Sequence, residues 1–576
     1  MEQEIWKKYR LQAIAGMLFK TVEVVFDVMT PLIVADMIDV GVATHDAEYV
    51  VRRGILLVCM ACAGYCSTLV TQHIASKVSQ GVGTDMRNAL FRKINSFGAA
   101  EIDRIGTPSL VTRITNDVNQ IQLAAAMAIR QLIRWPILAV GSLVAAIMID
   151  RTLGLIFLAV TPLIALVFYL VMKRSIPYYS LMQKKLDHIS LVTREALSGV
   201  RVIRAFRHEK EEEKRFREAA VSQADTAITV GRLAALLNPG AYLLMNFGVV
   251  CVLWAGGFKV EAGVLQQGQI VAFVNYMTQV LIAIAYVANL AIIFNRAAAS
   301  RKRIDEVLAT EPSVCDAQDA EAPAAAADAP ALALDHVGFS YGPGKPALAD
   351  VTLTLGQGET LGIIGGTGSG KSTLASLITR LYDATEGTVS VFGQDVRAWP
   401  LDELRHEVAS VPQTAHLVTG TIRSNLTWRV PDATDEELWA ALRAAHAEDF
   451  VRAKEAGLDS VVEADGRNFS GGQKQRLTIA RALVGSPSLV VLDDSASALD
   501  FATDARLREA LRSLPQHPTC VIISQRISAV MGADQILVLH HGHVEGLGTH
   551  EELIRSCAIY REISDSQLAG KEAHHA

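Results

Sequence analysis

The sequence has no basic excess. Over 576 residues, 54 Lys and Arg stand against 60 Asp and Glu, a net charge of −6. That balance argues against a nucleic-acid binder, which normally carries a basic surface. Cysteine is scarce in any useful pattern: the seven are odd in number and none has paired metal-ligand spacing, which leaves out a zinc site or a disulfide framework. Cys59, Cys62 and Cys66 would share one helix face and read as small apolar residues inside a membrane helix. A cleavable secretion signal is missing, since Lys7, Lys8 and Arg10 lead into a long apolar segment without a small-residue cleavage site.

What is present divides into two unlike halves. A chain of this length suggests about three or four domain-sized units. Up to about Ile293 it is dominated by long apolar runs, and beyond about Ala331 it reads as an ordinary soluble α/β sequence. Six runs in the first half approach the roughly 20 apolar residues a bilayer requires, at 12–37, 54–76, 130–149, 153–174, 235–257 and 268–291. The connection after the third is little more than Asp150-Arg151-Thr152. Those after the second and fourth are long, polar and rich in Arg and Lys, and Arg301-Lys302-Arg303 follows the sixth. The positive-inside rule puts these segments and both termini in the cytoplasm, and the spans are expected to continue there as helices.

The first span carries Lys20, Glu23 and Asp27 at i, i+3 and i+7. Charges inside a bilayer are costly and face a bundle interior or a wet cavity. The residues therefore read either as the polar lining of a substrate path or as a Lys20–Glu23 pair satisfied within its own helix. Pro162, Pro177 and Pro239 lie in or near spans where proline kinks a helix without ending it. Residues 309–330 are low in bulky apolar side chains and rich in Ala, Pro and Asp, the composition of an exposed tether.

In the second half, Gly365-Gly366-Thr367-Gly368-Ser369-Gly370-Lys371-Ser372 fits the phosphate-binding loop G-x-x-x-x-G-K-[ST]. The apolar strand Thr360–Ile364 precedes it and a helical run, Thr373 to Leu381, follows. The loop's N–H groups would point at a triphosphate, Lys371 at its β/γ-phosphates and the Ser372 hydroxyl at Mg²⁺. Gly366 through Thr373 are thus the expected contacts to ATP. Tyr341, about thirty residues before Lys371, could stack on adenine or be a half-buried strand tyrosine. Asp493 ends the apolar strand Leu489–Asp493 and would hold Mg²⁺ through water. Ser470-Gly471-Gly472-Gln473, a small-residue turn opening a helix, is a second anion site.

Together these motifs resemble the ATPase domain of ABC transporters, and the whole chain is similar to a type IV ABC exporter half-transporter. The resemblance implies an α-helical six-span transmembrane domain (1–308), a linker (309–330) and an α/β P-loop NTPase domain of ABC type (331–576). It further implies that Gln413 senses the γ-phosphate and metal, that Ser497–Asp500 crosses to a second nucleotide domain, and that Ser96–Ile105 and Gly199–Phe206 dock membrane helices onto ATPase domains. In the family each ATP is held between the phosphate loop of one chain and the Ser470–Gln473 signature of the other.

Two residues depart from that pattern. Asp494 stands where the family has the Glu that activates water, and its carboxylate falls about 1.5 Å short, when misplacement near 1 Å can cost about a hundredfold in rate. Gln525 stands where the family has His; it can hydrogen-bond a γ-phosphate but carries no charge. The signature, with Phe469 before it in place of Leu, is otherwise intact. The expectation is a heterodimer in which this chain's own site holds ATP but hydrolyses it poorly, while its signature completes a competent site on a second half-transporter. The rival is a slow homodimer with Asp494 as the working base. An ATP-gated regulator would call for a long regulatory segment or a ring of pathway charges, and neither is evident; an importer of the same fold remains an alternative. The resemblance and Ala/Arg-rich usage point to export across a bacterial plasma membrane, of a drug, lipid, peptide or other small molecule.

Overall fold

The computed structural model describes residues 2–316, 329–495 and 499–572. Most of the expected tether (317–328), together with Ser497 and Ala498 of the stretch expected to cross to a partner, lies outside the described residues. The chain divides into two compact units, Met1–Ile94 with Pro108–Ala309, and Asn95–Thr107 with Thr310–Ala576.

The first unit is helical: α1 (Glu2–Asp36) and α2 (Ala47–Asn95), then, after the short α3 (Ala99–Ile105) that belongs to the second unit, the helical stretches α4 (Thr107–Ile149), α5 (Arg151–Ser198), α6 (Val200–Ala205), α7 (Glu209–Glu261) and α8 (Gln267–Ala309). Among the described residues, α2, α4, α5, α7 and α8 are long and apolar enough to cross a membrane. The first expected span, α1, has the length but carries Lys20, Glu23 and Asp27 in its middle. At 1.5 Å per residue the five run about 65–80 Å, over twice the roughly 30 Å hydrocarbon core, so each projects well beyond it. A one-residue turn is built by Asp150. Its side chain accepts from Leu153 N–H at 2.9 Å, capping α5, and takes Lys259 Nζ from the end of α7 at 2.7 Å. A cap of this kind is worth about 1 kcal/mol, and a lysine suits a helix C-terminus. The core joins Leu153, Phe157 and Ile164 of α5 to Phe273, Tyr276 and Met277 of α8, with Ala145 and Ala146 of α4 small enough to let the backbones close.

In the second unit β1 (Leu332–Phe339), β2 (Leu348–Leu355), β4 (Glu386–Val391) and β5 (Gln394–Asp395) form an antiparallel sheet, in the order β2-β1-β4-β5, beside β3 (Thr360–Gly365). The larger sheet has the order β12-β11-β3-β10-β9-β6. It contains β3, β6 (Val408–Val411), β9 (Leu489–Asp493), β10 (Thr519–Ile523) and β11 (Gln535–His540) in parallel, with β12 (His543–Gly548) antiparallel at its edge. A further two-stranded piece pairs β7 (Gly420–Thr421) with β8 (Val461–Val462). All six positions of β3 are buried, which is why, after Thr360, its run has no polar side chain: a central parallel strand is covered on both faces.

Five helices matter below: α9 (Lys371–Ile378), α10 (Gly471–Leu483), α11 (Phe501–Arg512), α12 (Ile527–Val530) and the C-terminal α13 (Ala558–Glu572). α9 starts two residues before the expected Thr373 and ends before Leu381, because Arg380 turns to φ 48°. One core fills the space between the two sheets and α9. A second holds the helical half around Leu438, Leu442, Phe469 and Leu477, and a third packs Tyr560 and Leu553 against Ile364, Ile527 and Val530. At the start of the expected tether, Cys315 O accepts from Arg380 Nη2 at 3.0 Å and Asp316 Oδ1 from Leu401 N–H at 2.8 Å, both within this unit.

Candidate functional site

Parallel register lines up the chemistry. Val411 of β6 pairs with Leu492 of β9, Asp493 with Ile523 of β10, and Ile523 with Ile363 of β3. The segments leaving these strand ends are therefore neighbours: Gln413, Asp493–Asp494, Ser524–Gln525 and the phosphate loop stand in one row, at the carboxyl edge where α/β sheets bind ligands.

The loop's shape follows from its glycines. Gly368 has φ 77° and Gly370 φ 102°, left-handed values costly for a side chain, and a Cβ on Gly370 would lie 2.6 Å from Ala347 O. A Cβ on Gly366 or Gly368 would meet nothing within 4 Å, so the loop borders open space. Gly366, Thr367 and Gly368 are exposed while Ser369 and Lys371 are buried. Lys371 Nζ donates to Gly365 O at 2.9 Å and Gly366 O at 2.7 Å. Burial draws its ammonium below the ordinary lysine value, opposed by Asp494 and Asp493. Ser372 Oγ donates to Asp493 Oδ1 at 3.2 Å. One hydroxyl and one carboxylate are the hard oxygen donors Mg²⁺ takes beside phosphates, so the pair fits that ion. Burial pushes the carboxyl of Asp493 up, against the Ser372 bond and the Lys371 charge. Asp494 is also raised, by burial and then by Asp493, while Lys371, Arg526 and a hydrogen bond with the Gln413 side chain oppose the shift.

Tyr341 lies two residues beyond the end of β1 and is 61% exposed, not half-buried in the strand. Its ring meets Phe339 and Tyr382 edge-on at 4.8 and 5.4 Å, and its hydroxyl is 3.1 Å from Thr373 Oγ1. Ser470 caps α10: its Oγ accepts from Gln473 N–H at 3.3 Å, and Gln473 Oε1 accepts from Ser470 N–H at 3.0 Å. Gly471 and Gly472 form the first turn, and Phe469 anchors the signature in the helical core. Asp500 caps α11 through Thr503 N–H at 2.8 Å, a bond that holds its carboxyl below the usual range. Of the two segments expected to dock, Ser96–Ile105 contains α3 and groups with the second unit, where Asp103 Oδ2 accepts from Tyr382 Oη at 2.6 Å. Gly199–Phe206 contains α6 and leaves Val202 and Phe206 exposed.

In the first unit, Lys20 Nζ donates to Glu23 Oε2 at 2.5 Å and both are buried. Glu23 is also held by Thr68 and Arg134, and Arg134 lies 3.1 Å from Asp27. Glu23 and Asp27, with Phe26, Thr30, Tyr65 and Thr68, line a cavity of about 450 Å³; Lys20 stays within its pair. Sequence reasoning missed Arg134, a lone charge at the edge of an expected span. It also missed Tyr382, which carries no motif at all.

Among known families, residues 13–284 match the ABC transporter transmembrane region and residues 348–497 match the family described as ABC transporter. An uncharacterized ABC transporter ATP-binding protein of Mycobacterium tuberculosis (strain CDC 1551 / Oshkosh) is 36% identical over 565 residues, 97% of each chain. A multidrug efflux ATP-binding/permease protein of Mycobacterium tuberculosis (strain ATCC 25618 / H37Rv) is 32% identical over 94% of this chain and 45% of its own. A fatty acid ABC transporter ATP-binding/permease protein of Mycobacterium bovis (strain ATCC BAA-935 / AF2122/97) is 31% identical over 83% of this chain and 75% of its own. A solved bacterial Atm1-family ABC exporter with ATP bound superposes with a TM-score of 0.79 over 98% of both chains at 22% identity, a likeness of fold.

Proposed function

The chain belongs to the ABC transporter family, as a half-transporter with membrane region and ATPase in one polypeptide, and from that premise we propose that it is the slow-site subunit of a heterodimeric exporter in a bacterial plasma membrane. Its own site holds Mg·ATP between the phosphate loop, Ser372 and Asp493, with Tyr341 against the adenine, and hydrolyses it poorly. Ser470–Gln473 completes a faster site on the partner. ATP held between the two chains turns the membrane cavity outward, and hydrolysis at the partner's site resets it. Glu23 and Asp27 meet the polar part of the cargo. The relatives named for multidrug efflux and for fatty acid support a cargo with a large apolar body.

The observation that carries this reading is Asp494. It stands at the base position, beside Gln413, with a side chain one methylene short. Its N–H donates to Ile523 O at 2.9 Å, so the backbone is pinned and cannot slide to make up the distance. Native mass spectrometry of the tagged 62.2 kDa chain, drawn from its own host's membranes, is expected to find a second ABC chain of similar mass. A dimer of this chain alone would sink the heterodimer. The second reading, a slow homodimer, draws on the upward shift of Asp494, which moves a carboxylate toward the range where a general base works at neutral pH.

A further inference from the structure

The C-terminal helix reaches the loop that carries Gln525. Tyr560 of α13 is fully buried beside Ile527 and Val530, and Ser564 is buried one turn further on, so packing fixes one face of this helix. Near its end the amide of Gln567 lies against the loop that follows β10. Nε2 donates to Gln525 O at 2.8 Å, and Ile527 N–H donates to Oε1 at 2.9 Å. Both ends of one amide are used, on either side of Arg526. The loop is also held from within, by Ser524 N–H to Ile363 O and by Arg526 N–H to Ser524 Oγ, each at 3.1 Å. The Gln525 side chain is exposed.

The Ile527 N–H opens the four-residue helix α12 and is one of the donors a helix start leaves without an intrahelical acceptor. A side chain 40 residues further on supplies that acceptor. The chemistry at position 525 makes the placement matter. A protonated histidine attracts a phosphate through its charge and tolerates some displacement. A neutral amide acts only through a hydrogen bond, which weakens steeply with distance and angle.

We propose that Gln567 is a positioning residue for the nucleotide site: by fixing the backbone at 525 and 527 it sets where the Gln525 amide stands, and so how well this chain's site tells ATP from ADP. The proposal rests on the reading that Gln525 meets the γ-phosphate. The C-terminal helix thereby becomes a support of ATP selectivity at the slow site.

Photolabelling of this chain by radiolabelled 8-azido-ATP, in the full complex and competed by ATP or by ADP, reads its own site even beside a partner. Gln567→Ala is expected to raise the ATP needed for half-displacement by about 3- to 10-fold, the worth of one neutral hydrogen bond, with ADP unchanged. Gln567→Glu keeps the acceptor for Ile527 and loses the donor to Gln525; it is expected to show the same loss in a helix of nearly unchanged shape. Gln525→Ala sets the full size of the selectivity. If Gln525→Ala lowers the ATP-over-ADP preference and neither Gln567 variant does, the positioning role is wrong and the reading of the site stands. If Gln525→Ala leaves the preference unchanged, both fail. An equal loss for ATP and ADP in the Gln567 variants would make α13 a purely structural support and overturn the proposal.

Discussion

At Asp494 the backbone has no slack. The residue sits at φ 42°, a left-handed conformation that Asp tolerates better than most, and its N–H is tied to Ile523. A raised carboxyl brings a base nearer to neutral pH, but it adds nothing to reach, and reach is what a missing methylene removes. Asp494→Glu is therefore expected to raise turnover at this site by about 10- to 100-fold, measured as phosphate release with the partner's phosphate-loop lysine replaced. An unchanged rate would mean that distance is not the limit, and Gln525 would be next to replace. The departures at 494 and 525 were legible because a motif with fixed spacing tells each position what it should hold. The Gln413–Asp494 hydrogen bond is not, since it joins residues far apart in sequence through the pairing of β6 with β9. Gln567 was illegible for a simpler reason: one glutamine in a polar helix carries no pattern.

Elements were readable in proportion to how strongly burial constrained them. The central strand β3, covered on both faces, shows after Thr360 as a run with no polar side chain and was found to within a residue. The helix after it was misjudged by two or three residues at each end, because Lys371 is buried in its first turn and a left-handed Arg380 breaks it. In α1 the three charges and the Lys20–Glu23 pairing are legible in the sequence, but the third partner is not: Arg134, from α4, lies against both Glu23 and Asp27. Glu23 is 9% exposed and keeps Lys20 at 2.5 Å, so removing Arg134 leaves one excess negative charge shared with Asp27, at a cost below the roughly 3–5 kcal/mol of a buried charge left with no partner. Arg134→Met is therefore expected to lower the melting temperature of the detergent-solubilised protein clearly. Asp27→Asn, at a half-exposed residue, is expected to lower it much less, and adding Glu23→Gln to Arg134→Met should restore part of the loss. Equal melting of Arg134→Met and wild type would show that the cluster is held from elsewhere.

At the scale of the whole molecule, the proposed function assigns the two ends of the ATPase unit to different sites: the phosphate-loop row and Asp494 to this chain's own nucleotide, and the signature, capped on α10, to the nucleotide of a second chain. A heterodimer with one slow site must then respond asymmetrically to substitutions in this chain. Ser470→Asp keeps a good helix cap, since Asp caps as well as Ser, but sets a negative charge where the partner's γ-phosphate would lie. At an effective dielectric near 20, like charges about 4 Å apart repel by roughly 4 kcal/mol, enough to cut turnover of the complex by about a hundredfold or more with little change in melting temperature. On that heterodimer reading, Asp494→Asn in the same chain removes only a base one methylene short, and should lower turnover of the complex far less than Ser470→Asp does. A symmetric pair of slow sites predicts an even balance, because Asp494 would then be the base in both halves and its loss would stop hydrolysis as completely as damage to the signature. Phosphate release by the two variants, measured on the same reconstituted complex, separates the cases: near-equal losses point to a homodimer, and a gap of more than about tenfold between them is the mark of a chain that binds ATP for itself and completes hydrolysis for another.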